Sequence, residues 1–155
     1  MNLLSVENDQ YVFHLSRREM ALLTLVLRLY PVIPPAHQPL SKTGAKSMDA
    51  NQRLLDEALA EQRKENKKSV ETLLADHARF HESGNSIRMT LKATDIEWLL
   101  QVLNDVHVGS WILLGSPQKE LPLPVADDPR APQIWALELA RHFQSSLIDA
   151  LNHGT

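Results

Sequence analysis

Apolar and polar positions change period several times along this chain, and each change predicts an element. Gln10 to Leu15 (Q-Y-V-F-H-L) is β-prone and partly alternating, which predicts a short strand. Leu3 to Val6 is a second strand candidate, with Glu7-Asn8-Asp9 as the turn between them. Ser16-Arg17-Arg18-Glu19 has the S-x-x-E form of a capping box and opens a helix to about Leu29. Leu22, Leu25, Val26 and Leu29 share one stripe of that helix, and Pro31 ends it by disfavouring helical geometry at Tyr30. From about Asp49 a helical pattern runs to His81, with apolar patches at Leu54, Leu55, Ala58 and Leu59 and again at Val70, Leu73, Leu74 and Ala78. Between the patches, Glu61 to Ser69 has no apolar residue, which predicts a solvated segment or a break or bend near Asn66.

Glu82-Ser83-Gly84-Asn85-Ser86 reads as a turn, and Ile87 to Lys92 alternates as a half-buried strand does. Thr94-Asp95-Ile96-Glu97 is a second capping box, opening a strongly apolar helix to about Leu114 with Gly115 as its C-terminal cap. Pro132 fits the first turn of a last helix that runs to about Asn152. Segments 31–47 and 116–130 are proline-rich loops. A strand followed by a capped helix occurs twice, at Tyr11 to Tyr30 and Met89 to Val108, so pairing of the two strands is expected. The fold class that results is mainly α: α+β with helix dominant, four to five helices around one core, and a small sheet of two or three short strands.

A chain of 155 residues suits a single domain over 1–155 and buries roughly 70% of the surface exposed when unfolded. Having no cysteine excludes a disulfide framework, a thiolate metal site and a cysteine nucleophile. The first ten residues lack the basic start and apolar run of a signal peptide, and Met20 to Leu29 is too short to span a bilayer, so a cytoplasmic protein is expected. A net charge of −3 argues against nucleic acid as a partner.

Candidate chemistry is sparse. Asn104, Asp105 and His107 lie in a helix that is apolar nearly all round, where a buried carboxylate must be paired. Each is expected either to meet a polar partner such as Arg141 or His142, to lie on a solvated stripe with Glu97, Gln101 and Ser110, or to line a binding site. Trp111 and Trp135 are candidate interface anchors, although tryptophan on such helices more often packs in the core. His77 and His81 stand four apart, a zinc-compatible spacing, but Ala78 occupies the position that a metalloprotease helix gives to glutamate. The basic run Arg63-Lys64-Glu65-Asn66-Lys67-Lys68 lacks aromatic neighbours and reads as a solvated face. No catalytic residue, metal site or cofactor is assigned.

The segment Trp98-Leu99-Leu100-Gln101-Val102-Leu103-Asn104-Asp105-Val106-His107, followed by Leu113-Leu114-Gly115, resembles an uncharacterised bacterial domain-of-unknown-function family. Actinobacterial members typify it with a W-L-x-x-L-N-D-L-R core and an L-G close. The chain departs from that pattern at His107, where the family usually has Arg, and over Val108 to Trp111. The resemblance implies no activity. It implies a setting, because members are often encoded beside the adaptor of the Clp protease, and hence a link to regulated proteolysis. The functional expectation is a protein-interaction or regulatory module rather than an enzyme, binding a protein partner or itself as a homodimer through Asn104, Asp105, His107 and Trp111. The alternatives are a metal-dependent hydrolase or metal binder using Asp105, His107, His77, His81 or His142, and a weak nucleic-acid binder through Arg63 to Lys68.

Overall fold

The computed structural model describes residues 1–33 and 46–154. Four strands and four helices follow one another as β1 (Asn2–Glu7), β2 (Gln10–Ser16), α1 (Arg17–Leu29), α2 (Lys46–Ala75), β3 (Phe80–Ser83), β4 (Ser86–Lys92), α3 (Ala93–Leu113) and α4 (Ala131–His153), with a 3-10 turn at His77–Arg79 before β3. The strands form one antiparallel sheet in the order β1-β2-β4-β3. Asn8 and Asp9 both take positive φ, the geometry that a two-residue hairpin needs to match strand twist.

Strand pairing follows from the pleat. Tyr11, Phe13 and Leu15 of β2 face the same way as Ile87, Met89 and Leu91 of β4, and the register sets Tyr11 on Leu91, Phe13 on Met89 and Leu15 on Ile87. All six are buried, so a one-residue slip would expose the whole set. Each of these two central strands runs straight into a capped helix. At β2–α1 the Glu19 amide donates to Ser16 Oγ at 3.0 Å and the Ser16 amide to Glu19 Oε1 at 3.1 Å. At β4–α3 the Lys92 amide donates to Asp95 Oδ2 at 2.9 Å. The core lies between the sheet and α3 and α4, where Ile96, Leu99, Leu103, Ile134, Phe143 and Leu147 are almost fully buried. Gly115, at φ +85°, closes α3 by donating its amide to Ile112 O, and Pro132 stands in the first turn of α4.

Several expectations are corrected. The sheet has four strands rather than two or three. The additional one is β3, which the helical pattern had absorbed as far as His81. The helix stops at Ala75, because Asp76 leaves helical geometry and its carboxylate accepts the Ala78 amide, turning the chain so that Phe80 can pair with Met89. The second capping box sits earlier than its sequence form suggested: Asp95 occupies the reciprocal position, Glu97 is exposed, and α3 begins at Ala93. The expected break near Asn66 is absent, since α2 is one continuous helix of 30 residues, about 45 Å long. It begins at Lys46, inside the expected proline-rich loop. Pro34, Pro35 and Pro39 of that loop, and residues 41–45, lie outside the described residues. No helix among the described residues is long and apolar enough to cross a membrane.

Candidate functional site

The four residues expected to form one binding site are not brought together. Asp105 is half-buried and turned toward the chain that leaves α1: its Oδ1 accepts the Val32 amide at 2.7 Å and the Ile33 amide at 3.4 Å, and Oδ2 lies 3.9 Å from Arg63 Nε. Gly109, one turn on, fits against the same segment, where a Cβ would fall 2.6 Å from Val32 Cγ1. Asp105 is therefore a fastening for the end of α1 and not a free carboxylate. His107 and Trp111 face α4 and the loop before it. His107 Nδ1 stands 3.0 Å from Gln144 Oε1, and Trp111 Nε1 donates to Pro117 O at 3.0 Å. With Lys119, Glu120 and Arg141 they line a pocket of about 250 Å³. Asn104 is exposed, and its side chain makes no hydrogen bond with the described residues. The expected partners of Asp105 are engaged elsewhere: Arg141 pairs with Glu120 and Glu138, each at 3.3 Å, and His142 is exposed. Of the expected solvated stripe, Glu97, Gln101 and Asn104 are exposed, whereas Asp105 is half-buried and Ser110 is buried.

The polar stretch of α2 also differs from its solvated reading. Arg63 turns to Asp105, Lys67 Nζ donates to Tyr30 O at 3.1 Å, and buried Asn66 accepts from Gln62 and donates to Gln101 Oε1 at 3.2 Å. Hydrogen bonds replace apolar contact at this crossing, which a hydrophobicity pattern cannot register. Of the cations in the basic run only Lys64 and Lys68 are exposed, so the four do not form one free patch.

His77 and His81 are exposed and fall on the 3-10 turn and on β3, so the helical spacing that suited zinc is not realised. Among the described residues no group of three or more His, Asp or Glu converges as a metal site would. Asp95 is the most tightly held carboxylate near them. Burial pushes its carboxyl up, but the Lys92 amide, the Arg79 guanidinium and the Trp98 indole outweigh this and hold it below the usual carboxylate range. Arg79 also pairs with Asp76, so the cluster is internally satisfied.

A mainly apolar groove lies where α1 passes α4. Of the apolar stripe Leu22, Leu25, Val26 and Leu29, Val26 is buried and Leu22 is partly buried against the core. The core takes Leu23, Val26 and Leu27, and Leu25 and Leu29 stand 56% and 44% exposed. With Leu22, they form one wall of an open groove of about 550 Å³, and Trp135, Leu139 and Pro132 form the other. Trp135 is 45% exposed, and Arg18 at one end is the sole charged residue of the lining. Sequence reasoning proposed Trp135 as an anchor but missed the groove. The available signal was that α1 is apolar on two faces.

The chain matches no protein-family model, no curated protein and no solved structure.

Proposed function

We propose that this protein is an interaction module that docks the apolar face of a protein helix in the groove between α1 and α4. One observation carries the reading: Leu25, Leu29 and Trp135 are exposed together as the walls of a single groove. Isolated exposed leucines are ordinary, but large apolar residues gathered in one concavity carry a free-energy cost in water that a partner removes. Tryptophan in such a setting supplies binding energy out of proportion to its area, and a groove between two helices accepts a helix presenting residues at i, i+3, i+4 and i+7. A small-molecule site fits less well, because orientation of a small ligand needs several converging polar groups and this lining offers only Arg18.

The surface is thus moved from Asn104, Asp105, His107 and Trp111 to the other side of α4. The resemblance of Trp98 to His107 to a family encoded beside the Clp adaptor supplies the setting we propose, regulated proteolysis. The residues that carry it act within the fold: Trp98 Nε1 donates to Asp95 and Asp105 fastens the chain after α1. The test is capture from native extract of the source cells with tagged wild-type chain and with a Leu25→Asp variant. The reading predicts a stoichiometric protein, another copy or a different chain, that the wild type retains and the variant loses. Equal retention by both contradicts it.

A further inference from the structure

The first half of α2 differs from the second in burial. From Asp49 to Glu61 no residue is buried, whereas Asn66, Val70 and Leu73 further along are buried. Yet this first half is amphipathic: Leu54, Leu55, Ala58 and Leu59 fall on one face, and the three leucines are 65%, 36% and 43% exposed. One chain therefore carries an open apolar groove and an exposed apolar helical stripe. We propose that each is the other's partner across two copies: the arm of α2 from one molecule lies in the α1/α4 groove of a second, and the exchange is reciprocal. This rests on the groove being the docking surface.

Three features select a second copy as the occupant. The first is charge. From Asp49 to Glu61 the arm carries Asp49, Asp56, Glu57 and Glu61 against Arg53, with Glu57 and Glu61 along one edge of the stripe. In the groove lining, Arg18 makes no ion pair with any described residue, whereas Arg17 next to it is held by Glu82. The second is geometry. α2 is continuous and is fastened to its own body through Arg63, Asn66 and Lys67, so its arm cannot fold back into its own groove without breaking the helix. The third is area. Half the lateral surface of a helix about 12 Å across and about 18 Å long, the span of Asn51 to Gln62, is on the order of 340 Å². Groove and arm together remove about twice that, and two reciprocal contacts about 1,400 Å², within the roughly 1,200–2,000 Å² of stable interfaces. Reciprocity also closes the assembly as a two-fold dimer and leaves neither surface open to form chains.

The experiment is light scattering of the full chain over a concentration series, with two variants that alter only exposed positions. The arm variant is Leu55→Glu with Leu59→Glu, and the groove variant is Leu25→Glu with Trp135→Ala. Circular dichroism establishes that both keep the wild-type helix content. The wild type is expected to reach dimer mass, and each variant alone to associate at least about tenfold more weakly. A one-to-one mixture is expected to associate more strongly than either variant alone, because it contains one intact arm and one intact groove. Wild-type chain that stays monomeric overturns the proposal. So does a dimer lost in the arm variant but kept in the groove variant, which means that arms pair with arms. If the wild type is monomeric while capture of a different protein still depends on Leu25, self-occupancy fails and the docking reading stands. If groove substitutions alter neither, both fail.

Discussion

At Asp105 one carboxylate serves two chain segments. Its Oδ1 takes the Val32 and Ile33 amides, and its Oδ2 faces Arg63, whose side chain is only 18% exposed. Asp105→Ala leaves two amides and a mostly buried guanidinium without this acceptor, and is expected to lower the unfolding free energy by about 2–4 kcal/mol in a denaturant titration. A change below about 0.5 kcal/mol, usual for surface sites, would contradict the fastening role. Asp95 gives a prediction in pH. Its carboxyl titrates lower in the folded than in the unfolded chain, so its contribution is fully present above the unfolded value, about 3.9, and is lost as pH falls through the folded one. Stability measured from pH 7 downward should therefore fall in the acid range, and less steeply in Asp95→Asn. Equal slopes would contradict the assignment. The apolar context of Asp105 showed that it needed a partner, but not which one, because the backbone amides it meets lie far away in sequence.

The two halves of α2 share a helix but not an environment, and this separates two substitutions of the same type. Leu73→Ala removes a side chain that is 3% exposed and is expected to cost about 2–4 kcal/mol. Leu54→Ala, at 65% exposed, is expected to change the stability of dilute protein by less than about 0.5 kcal/mol. Similar losses at both sites would mean that the arm packs on the body. Elements governed by local rules were legible in the sequence: Ser16 and Glu19 at the start of α1, Gly115 after α3, Pro132 in α4, and the alternation that pairs β2 with β4. Three features were not. β3 is four residues long and depends on Asp76 ending α2 early. The continuity of α2 through Asn66 depends on side-chain hydrogen bonds to another helix. In α1, either of two apolar faces satisfies a 3.6-residue period, and periodicity cannot choose between Leu23 with Leu27 and Leu25 with Leu29.

For the whole molecule, that undetermined choice is the source of the candidate site. The sheet and the α3–α4 pair bury one face of α1, and the other face is left beside Trp135 as a groove, while the first half of α2 carries exposed leucines of its own. The natural absence of cysteine allows one direct measurement of how these surfaces meet. Chains carrying Leu59→Cys are mixed with chains carrying Leu25→Cys, oxidised mildly, and the disulfide-linked species identified by mass spectrometry. Arm-in-groove exchange predicts that the mixed dimer, Cys at 59 to Cys at 25, dominates over both same-variant dimers. A product made mainly of 59-to-59 links, or no covalent dimer at all, would contradict it.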